Sequence, residues 1–307
     1  MSVTLARTTY GKSHVRLVKL TRLQDRHELR ELAVGVHFEG DYEAAQAGGA
    51  EPEPVLVPDE TKLLPTDAMR DAVYAIAKQH PIDQIEHFGI ALIEHFLAGM
   101  PPVSRIRVEI TEQPWTHLNV SGMTHRHAFH RTTVEKRLTI LSATRGTLTI
   151  ESGVDDLFLI KTAGSGFESS IKDRVTDLRE TSDRMFATTV RAIWRYARPD
   201  IAFRLHWQAV RQVILQTFAD HDTRSVQQTL YAIGQAALEQ CGEIVEMRLS
   251  LPNRPHLLVD LSAAGLENRN EIFMPTEEPV GLVEAVVRRA GIVAGSTPPP
   301  PTPPPRA

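Results

Sequence analysis

Phe167 and Arg184 form the first pair in this 307-residue chain whose types and spacing could do chemistry together. Phe167 ends the run Leu157-Phe158-Leu159-Ile160-Lys161-Thr162-Ala163-Gly164-Ser165-Gly166, an apolar stretch of strand length broken by two glycines. A ring on a glycine-flanked loop can lie flat against a planar ligand, and a guanidinium can fork onto that ligand's edge. Arg184 follows Leu178-Arg179-Glu180-Thr181-Ser182-Asp183. A strand, a glycine turn and a surface arginine also occur together where nothing binds. The pair therefore gains its meaning from the remainder of the chain.

Other constellations point to less. His125, His127 and His130 are close in sequence but lack the cysteine or carboxylate pattern of a zinc site. The single cysteine, Cys241, reads as a packed thiol near a helix end. No Gly-x-Ser-x-Gly elbow, P-loop or dinucleotide fingerprint is present.

The elements that must position these residues follow from hydrophobic periodicity. Strands over 15–20 and 29–38 flank the charged turn Asp25-Arg26-His27, giving a β-hairpin. The segment 41–58, rich in Ala, Gly, Glu and Pro, reads as an exposed loop. Thr66 is the expected N-cap of a helix carrying Met69, Val73, Ile76 and Ala77 on one face and stopping at Pro81. A second helix places Ile85, Phe88, Leu92, Ile93 and Phe96 together and ends before Pro101. Strands are expected at 105–110 and 136–150, around a polar region over 117–131.

The second half repeats this order. Strands fall at 157–162 and 186–194, helices at 203–219 and 225–239, and closing strands at 244–251 and 256–261. Each half can cover one sheet face with two helices, an α+β layer arrangement. The expected domains are 1–150 and 151–294, followed by a proline-rich tail over 295–307 that cannot build a core.

Composition sets the class. A 42% hydrophobic share and 23% charged residues are ordinary for a soluble globular chain, and the net charge of −4 offers no basic excess for nucleic acid or anionic membrane. One cysteine fits a reducing, cytoplasmic setting. No apolar run approaches the length of a membrane span.

Several segments, in order, resemble the urate oxidase (uricase) family. They are Tyr10-Gly11-Lys12, Thr66-Asp67, His125-Arg126-His127-Ala128-Phe129, the stretch over 157–184, Ser225-Val226-Gln227 and Leu251-Pro252-Asn253. The resemblance spans about residues 8–290. It implies two tandem tunnelling-fold (T-fold) domains, each an antiparallel four-stranded sheet covered by two helices. It also implies a homotetramer with active sites at subunit interfaces, and oxidation of urate by O2 and water with no metal or organic cofactor, in purine degradation.

Such a reaction needs a clamp on a flat anion, a base for its proton and a polar pocket for oxygen or water. By resemblance, Arg184 and Gln227 grip the two purine edges and Phe167 stacks under the ring. Val226 and Asp67 lend main-chain groups, Leu178 lines the pocket and Asn253 holds oxygen or water. Lys12 and Thr66 become the proton-handling pair, with the Lys expected from a different subunit than the Thr-Asp.

One departure matters for chemistry. Asn253-Arg254-Pro255-His256 puts Pro255 where the family's third relay member, a histidine, belongs, and His256 one position later. A bulge at Pro255 could re-aim His256. The signature also departs at Ala163, Ser170 and Val175. The alternative reading is a purine- or pterin-binding protein of the same fold without oxidase chemistry, which Pro255 favours. A third, a zinc-dependent pterin enzyme of this fold, needs a metal site and a carboxylate anchor that the sequence does not clearly supply.

Overall fold

A computed structural model describes residues 8–40, 42–46, 55–166, 184–276 and 278–291. The chain opens with β1 (Thr9–Arg22) and β2 (His27–Gly40), the expected hairpin, extended at both ends. A short hairpin, β3 (Glu43–Gln46) and β4 (Val55–Pro58), occupies part of the segment read as a loop. Two helices follow, α1 (Thr66–Gln79) and α2 (Ile85–Gly99). Next come β5 (Val103–Gln113), the hairpin β6 (Thr116–Val120) and β7 (Met123–His130), β8 (Lys136–Ala143) and β9 (Leu148–Lys161). The second half continues with β10 (Phe186–Tyr196), α3 (Phe203–Asp220), α4 (Val226–Gln240) and β11 (Ile244–Ser250). A small hairpin, β12 (His256–Leu258) and β13 (Phe273–Pro275), precedes β14 (Glu284–Arg288).

Eight strands form one antiparallel sheet in the order β1-β2-β5-β8-β9-β10-β11-β14, four from each half of the chain. The halves meet at the β8–β9 hairpin, where Ala143 pairs with Leu148. The stretch 136–150 is thus two strands and not one, because Thr144–Thr147 turns the chain: the Thr144 N–H donates to the Thr147 carbonyl at 2.9 Å. Glu151, the expected first residue of the second domain, lies near the start of β9.

One sheet face carries the helices. Val34, Val36, Phe38, Val108, Leu141, Val190 and Trp194 bury there against Met69, Val73, Phe88, Leu92, Val210 and Ile233. The other face carries ion pairs, such as Arg248 gripping Glu151 through two hydrogen bonds of 2.6 and 2.8 Å, around a small apolar group of Leu138, Ile140 and Ile193.

The last strand of the sheet is β14, not the expected 256–261. Residues 256–258 leave the sheet to pair with β13, His256 lying opposite Pro275. The proline-rich tail lies outside the described residues. Among the described residues no helix is long and apolar enough to cross a membrane.

A buried ion pair fastens the halves together. The Glu86 carboxylate on α2 is fully buried and accepts from Arg137 of β8 at 2.6 Å and from the Ser152 hydroxyl of β9. The Arg137 guanidinium lies 5.5 Å from the Trp207 ring centre on α3, and the Trp207 indole N–H donates to the Gly153 carbonyl at 2.8 Å. Arg211 of α3 adds a two-pronged pair to Glu135, at 2.6 and 2.7 Å.

Candidate active site

The motif Tyr10-Gly11-Lys12 acquires a physical reason at each position. Tyr10 packs edge-on against Phe38 and Tyr42, and its hydroxyl accepts from the Leu64 N–H at 3.1 Å, fixing the approach to α1. At Gly11 a Cβ would come 2.1 Å from the Val36 carbonyl and 2.7 Å from the His37 Cα, so no side chain fits. Lys12 Nζ donates to Asp67 Oδ1 at 3.0 Å. The strand β1 therefore holds the start of α1 at two points.

Thr66 is the first residue of α1, and Pro65 takes the cap position expected for it. The Pro65 carbonyl accepts the first helical N–H, from Met69 at 3.2 Å, and the Thr66 hydroxyl makes no capping bond. A proline is compatible with a helix start because its fixed φ suits it there, although it offers no side-chain acceptor to the first N–H groups. The Asp67 carboxylate is held below the ordinary range by the Lys12 hydrogen bond first, then by the Lys12 and Arg70 charges. Lys12 and Asp67 meet within one chain, whereas the resemblance led to the expectation of a lysine from a different subunit than Thr66-Asp67.

A second group assembles in the other half around Ser165. The Arg184 N–H donates to the Ser165 carbonyl at 2.7 Å, and the Ser165 hydroxyl donates to the Arg184 carbonyl. On the other side of Ser165, the Gly166 N–H donates to the Thr223 carbonyl at 2.6 Å, and the Thr223 N–H donates to the Gly164 carbonyl at 3.0 Å. Thr223 leads directly into α4, whose N-cap Ser225 accepts from the Gln228 N–H at 3.2 Å. Val226 and Gln227 are the first two residues of that helix, so their N–H groups have no intrahelical acceptor. Val226 is buried and Gln227 exposed. Burial lowers the Arg184 pKa, yet an arginine so placed keeps its charge. Phe167 and Leu178 lie outside the described residues, although Phe167 directly follows Gly166 of this junction.

Asn253 joins the same region through main-chain pairing with Thr188 and Gly281, and the Arg254 N–H donates to the Ala187 carbonyl at 2.9 Å. The chain then leaves β10 at Pro255, whose carbonyl accepts from the Thr276 N–H and hydroxyl at 2.9 and 2.7 Å. Pro255 thus sits at a switch of pairing partner, a suitable place for a residue without an N–H. Arg184 and His256 line one cleft of about 460 Å³ with Thr162, Met185, Leu258 and Phe273. His256 Nδ1 lies 3.2 Å from the Arg254 carbonyl. A carbonyl can only accept, so Nδ1 is the donor in this contact.

The two groups lie far apart in one chain. β1 is the first strand of the sheet and β10 the sixth, five strand spacings or roughly 24 Å along the sheet. Among the described residues, no cluster of three His, Cys, Asp or Glu side chains could hold a metal ion. His125 and His127 instead pack edge to face, ring centres 4.6 Å apart, on β7.

Residue types alone did not reveal Ser165, Thr223 or the Leu64 contact, because these act through main-chain groups. Gly11 offers a direct check: Gly11→Ala must push β1 from β2 at Val36. The expected cost is about 1–3 kcal/mol in stability, with a rate loss of roughly tenfold or more from the displaced Lys12. Melting and steady-state kinetics on the variant measure both.

A duplicated α+β sheet sets a cation and a helix N-terminus beside a glycine junction, groups of the kind that can take an anion. The Uricase family model matches residues 8–142 and 150–284. A uricase from Arthrobacter globiformis is 37% identical over 289 residues, covering 94% of this chain and 91% of that protein. One from Oryctolagus cuniculus is 35% identical, covering 94% and 95%. The crystal structure of uricase from Arthrobacter globiformis superposes with a TM-score of 0.87 at 36% identity, covering 96% of this chain and 98% of that one. The urate oxidase of Bacillus sp. TB-90 shares the fold, with a TM-score of 0.74 at 20% identity. The chain belongs to the uricase family.

Proposed function

We propose that this chain is a cofactor-independent urate oxidase, converting urate, O2 and water to 5-hydroxyisourate and hydrogen peroxide in purine degradation. The observation that carries this reading is the Ser165 junction, which ties Arg184 to the start of α4 at Val226 and Gln227. Arg184 and Gln227 would take the purine edges, with Phe167 beneath the ring and Leu178 beside it. The Val226 and Asp67 main-chain groups complete the clamp. Lys12 and Thr66 handle the substrate proton, Asn253 holds oxygen or water, and His256 stands in for the relay histidine displaced by Pro255.

The separation of the two groups supports a site shared between copies, and hence a homotetramer. Both outer strands of the sheet, β1 and β14, have an open edge among the described residues, with Val18, Leu20 and Val286 exposed there. Native mass spectrometry should show four chains per particle. The single-cysteine composition supports a cytoplasmic location.

The deciding experiment mixes metal-free protein with urate in air and follows urate's ultraviolet absorbance and peroxide together. Matched urate loss and peroxide release are expected. Tight urate binding without loss would instead make the chain a binding protein of this fold, and neither would overturn both. His256→Ala should lower kcat by roughly tenfold or more, and an unchanged rate would remove His256 from the relay.

A further inference from the structure

Lys12 and the core residues Val15 and Leu17 share one face of β1, although Lys12 and Val15 are an odd number of positions apart. Lys12 reaches Asp67 on α1, while Val15 and Leu17 bury beneath that helix layer. In a regular strand, residues three apart point to opposite faces. The parity is repaired by a β-bulge: Lys12 pairs with Val36 and Val15 with Val34, so Ser13 and His14 together face Gly35. His14 has a φ of 55°, a left-handed conformation unusual for a residue with a side chain.

One side chain holds this bulge from the opposite strand. His37 Nε2 lies 2.9 Å from the Ser13 hydroxyl. Its ring spans the two glycines beside the bulge: a Cβ at Gly11 would lie 2.9 Å from His37 Cδ2, and one at Gly35 would lie 3.4 Å from Cε1. The ring occupies space that a Gly11 side chain would take, while at Gly35 a Cβ would only touch it. Burial is the main cause lowering the His37 pKa, with the Arg107 and His14 charges adding to it against Glu109.

We propose that His37 is a positioning residue for the reaction, pinning the Ser13–His14 bulge and thereby aiming Lys12 at Asp67 and the substrate. The proposal rests on the reading of Lys12 as the proton-handling group. Without the pin, β1 can regularise, and regular pairing with Val15 and Leu17 kept in the core turns Lys12 toward the helix-free face.

Three variants test it: His37→Ala, His37→Gln and Ser13→Ala, with the double variant of Ser13 and His37 to alanine. His37→Ala should lower kcat roughly tenfold to a hundredfold with KM within about twofold. Ser13→Ala should match it, and the double variant should be no worse than either alone. His37→Gln, which can still bond the serine, should recover most of the rate. Lysine acylation read by mass spectrometry supplies an arm independent of turnover. Lys12 should become several-fold more reactive in His37→Ala and Ser13→Ala while the other lysines keep their rates. Unchanged Lys12 reactivity, or additive losses with no recovery by glutamine, would overturn the proposal. If the wild-type chain fails to oxidise urate, the activity reading fails by itself, and acylation still decides whether His37 aims Lys12.

Discussion

Replacing Lys12 with alanine is expected to lower kcat for urate oxidation by roughly 10²–10⁴-fold, the usual worth of a positioned proton-transfer group. The purine clamp proposed above rests mainly on Arg184 and the start of α4, in the other half of the chain, so KM should move far less. The lysine is one-third exposed at its side chain and held at 3.0 Å from Asp67. The variant should therefore fold, with its melting temperature close to the parent's, since an exposed pair of this kind contributes little to stability. Steady-state kinetics with peroxide detection measures the effect. A variant retaining the full rate would refute Lys12 as the base.

Acid should act at the same place. The Asp67 pKa lies below its ordinary value, so its carboxylate stays charged and on Lys12 above the ordinary carboxylate range. The contact is lost only as pH falls through the depressed value.

Glu86→Ala should be the most damaging change to stability, costing about 3–5 kcal/mol. It removes a carboxylate of zero exposure and leaves the Arg137 guanidinium, itself 7% exposed at the side chain, without its anion at the seam between the halves. The Ser152 hydroxyl loses its acceptor in the same step. For a chain of this size the melting temperature should fall by on the order of 10 °C. Replacing Glu86 with leucine and Arg137 with methionine together should cost much less, because no buried charge is then stranded. Calorimetry on the single and double variants separates the cases. A Glu86→Ala melting temperature within a degree or two of the parent would mean that water reaches the seam and solvates Arg137.

The helices were legible because their causes are local. Met69, Val73 and Ala77, or Ile85, Phe88, Leu92 and Phe96, repeat at helical spacing and are bounded by Pro81 and Pro101. Each group lies buried on one helix face. The β1–β2 hairpin was legible for the same reason, with its turn over residues 23–26 at the charged Asp25 and Arg26. The sequence predicts one strand over 136–150, across the turn at Thr144–Thr147, and a closing strand over 256–261. That place belongs to Glu284–Arg288, a short strand with alternating exposure, selected by pairing with β11 across more than thirty residues of chain.

The sequence by itself determined the residue types at the site, through the order of its motifs, and the doubled helix-pair arrangement, through periodicity. The tertiary structure decided what those residues share. Main-chain bonds around Ser165 link Arg184 to Thr223, three residues before Val226 at the start of α4, and main-chain bonds are blind to side-chain identity. Only strand pairing reveals the extra residue at Ser13–His14 that puts Lys12 on the helix face, because the parity of a strand is defined against its neighbour. Only the path of the chain through Pro255 sets His256 beside Arg184 in one cleft. Local sequence encodes local geometry, whereas the meeting of distant segments depends on which pairings bury the most apolar surface while leaving the fewest polar groups unbonded.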